Sequence, residues 1–236
     1  ERFTAVGCAL GLIRPPLHVV EENRFAGAQR ACSAAIARGY RRPGYVHCVN
    51  YPAEHDDPDR IGGYLFARRR LPAGDQVPVC VCGFKEADVF RQWVRKHKPD
   101  AVIGFNDTVY WWIGEAGLRV PEDVGYVTLA HARGVSRNTT GSVCMDAEVG
   151  TAAVELLVGQ IHIHARGIPD PLHTLHVEPE WHEGETLPER AGKRQSAPAD
   201  MARGNAEVSM PPLAPDRGTS GRCRTRPAAK GNGPSG

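Results

Sequence analysis

The chain has 236 residues, 29 Lys and Arg against 27 Asp and Glu, and a formal net charge of +2 at pH 7. The basic excess is confined to the end of the chain, because Glu189 onward holds nine basic and four acidic residues while the remainder is mildly acidic. A mildly acidic body lacks the basic patch of a nucleic-acid-binding domain. No apolar run reaches the length of roughly 20 residues that a membrane-spanning helix needs.

The cysteines indicate a reducing compartment. There are seven, an odd number, and most lie inside apolar segments, whereas a secreted disulfide framework needs paired cysteines. The N-terminus also lacks the basic, apolar and small-residue sections of a secretion signal. We therefore expect a cytoplasmic protein. Since the chain starts at Glu1 without a Met, we expect an excerpt or a truncated product.

Short apolar runs alternate along the chain with segments of helical periodicity. The predicted strands are residues 3–10, 17–20, 45–49, 77–82, 101–105, 124–129, 142–145 and 172–177, and the predicted helices are 22–38, 60–70, 85–96, 108–116 and 146–164. This alternation predicts an α/β protein whose parallel sheets carry helices on both faces. Residues 188–236 are rich in Pro, Gly, Ser, Ala and Arg and are predicted to be a disordered tail.

The stretch 101–129 places polar residues at a strand end. Residues 101–105 form an apolar run that predicts a buried strand, and Asn106 and Asp107 follow it directly. One reading is that either side chain only caps the next helix by accepting a backbone N–H. The other is ligand contact, because ligands of open α/β sheets bind at the carboxyl ends of strands.

The same stretch resembles the sensor domain of LacI/GalR-family bacterial transcription regulators. The runs KPDAVIGFND at 98–107 and GLRVPEDVGY at 117–126 are similar to the family patterns PDAV-x-G-x-ND and GL-x-VP-x-DV, which mark its effector-binding lobe. Further segments match in the same order, at 22–27, 38–46, 59–64, 150–157, 166–169 and 175–181. The resemblance therefore covers most of the chain before the predicted tail.

The resemblance implies a periplasmic-binding-protein-like fold with two doubly wound parallel-sheet lobes, the first of them incomplete. It assigns residues 1–21 to a remnant of the first lobe, 22–140 to the second, effector lobe, 141–168 to a return helix of the first lobe and 169–187 to a closing strand segment. The helix-turn-helix of the family is expected upstream of Glu1. A departure is Ala130-His131, where the family often carries an Asp at the strand end.

The function that the resemblance implies is sensing of a small sugar-like effector, which controls DNA binding by the missing helix-turn-helix of a homodimer. No enzyme activity, cofactor or membrane partner is expected. One alternative is the solute-binding protein of a sugar transporter, which would carry a secretion signal and few free thiols. A sugar-processing enzyme is another, and it would require a convergent acid/base pair beyond the generic Asp107 and His131.

Five residues are candidates for ligand contact: Arg60, Asn106, Asp107, His131 and Phe84. Arg60 begins a predicted helix, where a cation is unfavourable, and in the family the matching Arg enters the effector cleft. The alternative for Arg60 is an ion pair with Asp56, Asp57 or Asp59, which are also the predicted caps of its helix. The Asn106 amide and the Asp107 carboxylate can form hydrogen bonds with neighbouring hydroxyl groups of a sugar. Aromatic faces for a sugar ring could come from Phe84, His131, Tyr51 and Trp181, and the alternative for each of these is packing in the core.

No metal site is expected from the sequence. Cys80 and Cys82 lie two residues apart on a strand, so both thiols share a face, but no second pair follows at zinc spacing. The sequence holds no phosphate loop, nucleophile elbow or dinucleotide fingerprint. Of the neighbouring Trp111 and Trp112, one ring is predicted to pack in the core and the other to face a lobe or a partner subunit.

Overall fold

The computed structural model describes residues 3–9, 14–49, 58–134 and 137–190. Within these ranges strands and helices alternate as the sequence predicts. The strands are β1 (Val6–Cys8), β2 (His18–Glu22), β3 (Pro43–Cys48), β4 (Cys80–Cys82), β5 (Ala101–Gly104), β6 (Gly125–His131), β7 (Gly141–Val143), β8 (Thr174–Val177) and β9 (Trp181–His182). The helices are α1 (Arg24–Ala37), α2 (Pro58–Arg68), α3 (Ala87–His97), α4 (Asp107–Glu115) and α5 (Asp146–His162).

The described strands form two sheets. One has six strands in the order β4-β3-β5-β6-β7-β9, and the other has three in the order β1-β2-β8. All neighbouring strands are parallel except β7 and β9, which pair in the antiparallel direction. The predicted α/β class with mainly parallel sheets is confirmed.

The six-stranded sheet is covered on both faces because its central strands alternate their side chains between two cores. In β5, Ala101 and Ile103 pack on the side of α1 and α2, and Val102 packs on the side of α3 and α4. Gly63 allows α2 to approach α1 closely, since a Cβ there would lie 2.2 Å from the carbonyl oxygen of Phe25. The result is a sheet whose middle strands are buried on both sides.

The three-stranded sheet has a smaller core. Val20 of β2 packs there with Val149 and Ala153 of α5. Strand β8 lies at the edge of this sheet, and its first three residues are exposed.

Several element bounds differ from the predicted ones. Helix α2 begins at Pro58, which suits the first turn because proline has no N–H to leave unpaired. Asp59 therefore lies inside the first turn instead of capping the helix, and Asp56 and Asp57 lie outside the described residues. Strand β4 covers only Cys80–Cys82 of the predicted 77–82, and β8 begins at Thr174.

The division into lobes also differs from the expectation. Residues 141–143, which the predicted boundary assigned to the first lobe, form β7 and pair with β6 of the six-stranded sheet. The predicted closing segment 169–187 contributes β8 to one sheet and β9 to the other. The chain therefore crosses between the sheets again after α5.

The folded body extends slightly into the predicted tail. The Tyr40 hydroxyl donates to the carbonyl of Pro188 over 3.1 Å, and the Arg190 guanidinium lies 4.5 Å from the centre of the Tyr40 ring. Residues 188–190 are thus held on the body, a correction to the predicted start of the tail at 188. The rest of the predicted tail, 191–236, lies outside the described residues.

Candidate ligand-binding site

Asn106 lies at the carboxyl end of β5 and caps α4. Its side-chain oxygen accepts from the backbone N–H of Thr108 over 3.1 Å, as the cap reading predicts. The Tyr126 hydroxyl donates to the Asn106 carbonyl over 2.8 Å. Gly104 lets the first turn of α4 lie close to β5, since a Cβ there would be 2.7 Å from Val109. The strand end and the helix start are therefore held rigidly together.

A pocket of about 250 Å³ opens at this strand end. Its lining residues are Asn106, Asp107, Thr108 and Ala130. Asp107 is half-buried, and its charge acts on the nearby Tyr126 and His131. Two of the five predicted site residues, Asn106 and Asp107, thus share one pocket with a hydroxyl group and a methyl group.

Arg60 is not among the residues that line this pocket, but it stacks on the ring of the residue that precedes Asn106. Its guanidinium carbon lies 4.4 Å from the centre of the Phe105 ring, and Phe105 directly precedes Asn106. At this distance the cation and the face of the ring attract each other. Arg60 is therefore held next to the residue that begins the pocket, by a contact that neither sequence reading included.

The charge of Arg60 also reaches the end of the neighbouring strand β7. Burial raises the pKa of the Cys144 thiol, and Asp146 and Glu22 raise it further, while Arg60 lowers it. Glu22 ends β2 of the three-stranded sheet, so groups from both sheets act on Cys144. Residues from both sheets are therefore close to one another on this side of the molecule.

His131 at the end of β6 is buried against another histidine. The rings of His131 and His182 stack with centres 4.0 Å apart and planes 8° apart, and Nδ1 of His131 lies 3.3 Å from the Thr139 hydroxyl. Burial lowers the pKa of His131 and the neighbouring His182 lowers it further, against the charge of Asp107. The arrangement favours a neutral imidazole held by β9.

The remaining aromatic candidates lie elsewhere. Phe84 is 37% exposed and follows β4, which is separated from β5 by β3, and it is not among the residues that line the pocket. The Trp181 indole N–H donates to Glu183 over 2.9 Å, and Arg30 lies over its ring at 5.2 Å. Tyr51 lies outside the described residues.

Sequence reasoning missed Phe105, Thr108 and Ala130. Phe105 and Thr108 flank Asn106-Asp107 directly, so a search of both neighbours of the polar pair would have found them. Ala130 stands at the strand end where the family often carries an Asp, but as an apolar residue it was not proposed as a ligand contact, and the pairing of β5 with β6 brings it to the pocket.

Two negative findings apply to the described residues. Among them, no group of three or more His, Cys, Asp or Glu side chains is arranged to hold a metal ion. Within the same ranges, no helix combines the length and the apolar character needed to cross a bilayer.

The chain has two mainly parallel sheets with helices packed on them and a polar pocket at the end of a strand. In α/β proteins of this kind, ligands bind at the carboxyl ends of strands. A family profile described as a periplasmic binding protein-like domain matches residues 8–187, and the chain belongs to this family. The periplasmic-binding-protein-like fold implied by the sequence resemblance is thereby confirmed. A comparison with curated protein sequences gives no match.

Solved structures with a similar fold include several LacI-family transcriptional regulators. The regulator from Enterococcus faecium with bound ribose is 15% identical, with a TM-score of 0.61 over 78% of this chain and 70% of that chain. The regulator from a Rhodococcus species is 22% identical, with a TM-score of 0.60 over 80% and 71%. The regulator CcpA from Weissella paramesenteroides with bound glucose is 15% identical, with a TM-score of 0.60 over 80% and 70%.

Proposed function

We propose that this chain is the effector-sensing domain of a LacI-type transcriptional regulator and binds a small sugar. The observation that carries the proposal is the polar pocket at the end of β5, lined by Asn106, Asp107 and Thr108 with Arg60 stacked beside it on Phe105. The similar fold of regulators solved with ribose and with glucose supports it. The role is non-enzymatic, as it is for these regulators.

The chemistry of the pocket suits a polyhydroxylated ligand. The Asp107 carboxylate accepts hydrogen bonds, the Thr108 hydroxyl donates and accepts, and the Asn106 amide N–H₂ donates while its oxygen is used by the helix cap. A volume of about 250 Å³ lies just below the roughly 300–1,000 Å³ of sites for drug-sized ligands, which favours a molecule the size of a monosaccharide.

In this proposal Arg60, Asp107 and Asn106 bind the sugar directly. Arg60 has a planar fork of N–H donors that matches neighbouring hydroxyl oxygens, and stacking on Phe105 pre-organises that fork. His131 contributes an apolar edge near Asp107, and Phe84 takes part only if the segment after β4 closes over the ligand.

The proposed signal is a shift in the balance of two lobe arrangements. A sugar that contacts both sheets stabilises the arrangement in which its contacts are complete. In a homodimer, that arrangement would reposition a DNA-binding headpiece outside the described residues. The six described cysteines are free thiols, which supports a cytoplasmic setting for such a regulator.

Trp111 is our candidate for a contact between the two copies of the dimer. The buried Trp112 packs in the core, whereas Trp111 on the same helix is 55% exposed, with the Arg137 guanidinium 4.4 Å from its ring centre. A large exposed aromatic ring stacked with arginine is a composition enriched in protein interfaces.

Calorimetry against a panel of D-ribose, D-glucose, sucrose and cellobiose tests the site. We expect saturable binding of at least one sugar and loss of that binding in Arg60→Ala. Asn106→Ser separates the two roles of Asn106, because serine is also a good helix cap but lacks the amide. Weakened binding by a folded Asn106→Ser protein supports the site, whereas unchanged affinity in both variants removes it.

A further inference from the structure

Three cysteine side chains converge in one core of the six-stranded sheet. Cys48 ends β3, and Cys80 and Cys82 begin and end β4. All three are at most 6% exposed and belong to the same buried cluster on the side of α3 and α4. The ligand pocket described above involves none of them.

Strand register decides which two thiols are best placed to join. Cys48 and Cys82 are direct partners in the parallel pairing of β3 with β4. Neighbouring strands lie about 4.8 Å apart, which is within the roughly 4.4–6.8 Å between Cα atoms that disulfides span. Cys80 and Cys82 are two residues apart along one strand, or about 6.6 Å, near the upper limit. The geometry therefore favours the pair between strands.

The hydrogen bonds among these thiols favour Cys82 as the nucleophile. Hydrogen bonding with Cys48 and Cys80 lowers the pKa of Cys82, burial opposes this by raising it, and the charge of His47 lowers it further. Cys32 lies on the opposite side of the sheet, where burial raises its pKa to about 12. Since the thiolate is the reactive form, the lowered pKa favours Cys82 over Cys32 as the attacking sulfur.

We propose that Cys48 and Cys82 form a redox-active dithiol, which hydrogen peroxide converts to an intramolecular disulfide. The Cys82 thiolate attacks the peroxide O–O bond, takes up one oxygen as a sulfenic acid and releases hydroxide, which is protonated to water. The Cys48 sulfur then displaces the sulfenic oxygen as a second water and forms the S–S bond. In total, two thiols and one peroxide give one disulfide and two waters, and a cellular thiol reverses the reaction.

Disulfide mapping of the full-length protein tests this assignment directly. The reduced protein is treated with a small excess of hydrogen peroxide, alkylated, digested without reductant and examined by mass spectrometry. We expect one cross-link that joins the peptide of Cys48 to the peptide shared by Cys80 and Cys82, and its loss after reduction. Cys32 should remain a thiol.

Three variants identify the bonded pair. Cys80→Ala should keep the cross-link. Cys82→Ala should abolish it and slow the loss of thiols in peroxide roughly ten-fold or more. The control Cys32→Ala should change neither the cross-link nor the rate of thiol loss. Phenylarsine oxide, which needs two adjacent thiols, should bind the unmutated protein in a ratio of one to one. Because this measurement uses the unmutated protein, it does not depend on whether any variant folds.

Two outcomes overturn the proposal. One is an oxidised, folded protein in which Cys48 and Cys82 remain thiols while exposed cysteines such as Cys8 are modified. The other is a cross-link that disappears in Cys80→Ala and persists in Cys82→Ala, which would assign the bond to a different pair.

Discussion

Both sheets are built mainly from parallel strands, but their faces are covered to different degrees. Every residue of β3 and of β5 in the six-stranded sheet is buried, whereas three of the four residues of β8 in the three-stranded sheet are exposed. Among the described residues, the buried clusters of the larger sheet hold 14 and 13 members and that of the smaller sheet holds five. Most of the hydrophobic stabilisation therefore lies in the larger sheet.

This difference explains where the candidate site lies. Pre-organised binding groups need a rigid support, and β5 with its neighbours supplies one, since it is packed on both faces. The smaller sheet has a smaller core, and its Glu22, at the end of β2, acts on the pKa of Cys144 and does not line the pocket. We infer that the larger sheet holds the proposed ligand-binding groups in place.

A buried residue of the larger sheet should give the largest effect on stability. Ile103 is completely buried between the sheet and α1, so Ile103→Ala should lower the free energy of unfolding by about 3 kcal/mol or more through lost burial and the cavity left behind. Leu175→Ala on β8 is the matched control. Leu175 is 41% exposed, and its loss should cost about 1 kcal/mol or less. Urea unfolding of both variants checks the contrast, and equal losses would contradict it.

A polar link within the larger sheet should give the next largest effect. The Asp100 carboxylate accepts from the backbone N–H groups of Arg41 and Arg42 over 2.7 and 2.8 Å, and so joins the start of β3 to the start of β5. Asp100→Ala should cost about 2 kcal/mol, because it leaves two backbone donors without their partner. Asp100→Asn keeps one acceptor and should cost less. A variant as stable as wild type in urea unfolding would contradict this role.

The stacked histidines should make stability depend on pH. His131 has a folded-state pKa below its ordinary value of 6.5, so the unfolded chain binds the proton more readily. The contribution of neutral His131 to the stability of the folded protein is therefore complete above about pH 6.5, and it is lost as the pH falls through the lower, folded-state pKa. His131→Asn should show a smaller fall in melting temperature than wild type between pH 8 and pH 5. Identical falls in the two proteins would contradict a depressed pKa.

The smallest effect should come from an ion pair in the turn between α4 and β6. Hydrogen bonds from Arg119 lower the pKa of Asp123 to about 2 from 3.8, so its stabilising contribution is present above about pH 3.8 and lost as the pH falls towards 2. Carbon-detected NMR titration should place the Asp123 midpoint near 2 in wild type and closer to 3.8 in Arg119→Ala. A midpoint that Arg119→Ala leaves unchanged would exclude Arg119 as the cause.

The features that the sequence predicts well are local ones. The order of strands and helices follows from short-range periodicity, and the Asn106 cap follows from its position between a strand and a helix. The prediction that one of two neighbouring tryptophans is buried is also confirmed, with Trp112 in the core and Trp111 exposed. These features depend on residues within a few positions of one another.

The contacts that the sequence left open join distant parts of the chain. Arg60 meets Phe105, 45 positions later, and His131 meets His182, 51 positions later, and neither pairing has a local signal. The pairing of β7 with β6 instead of the smaller sheet likewise depends on register. These contacts depend on tertiary packing. The sequence therefore predicted Asn106 and Asp107 of the polar pocket but not the stacking of Arg60 on Phe105.

Titration of D-ribose, D-glucose, sucrose and cellobiose into Arg60→Ala and Arg69→Ala tests the central claim most directly. Both arginines belong to α2 or the turn after it, and each stacks on a phenylalanine, Arg60 on Phe105 at 4.4 Å and Arg69 on Phe66 at 3.9 Å. Of the two phenylalanines, only Phe105 directly precedes a residue that lines the pocket. We predict that sugar binding by wild type is retained in Arg69→Ala and lost, or weakened at least ten-fold (about 1.4 kcal/mol), in Arg60→Ala. Equal affinities in the two variants would contradict the claim that this strand end binds the sugar.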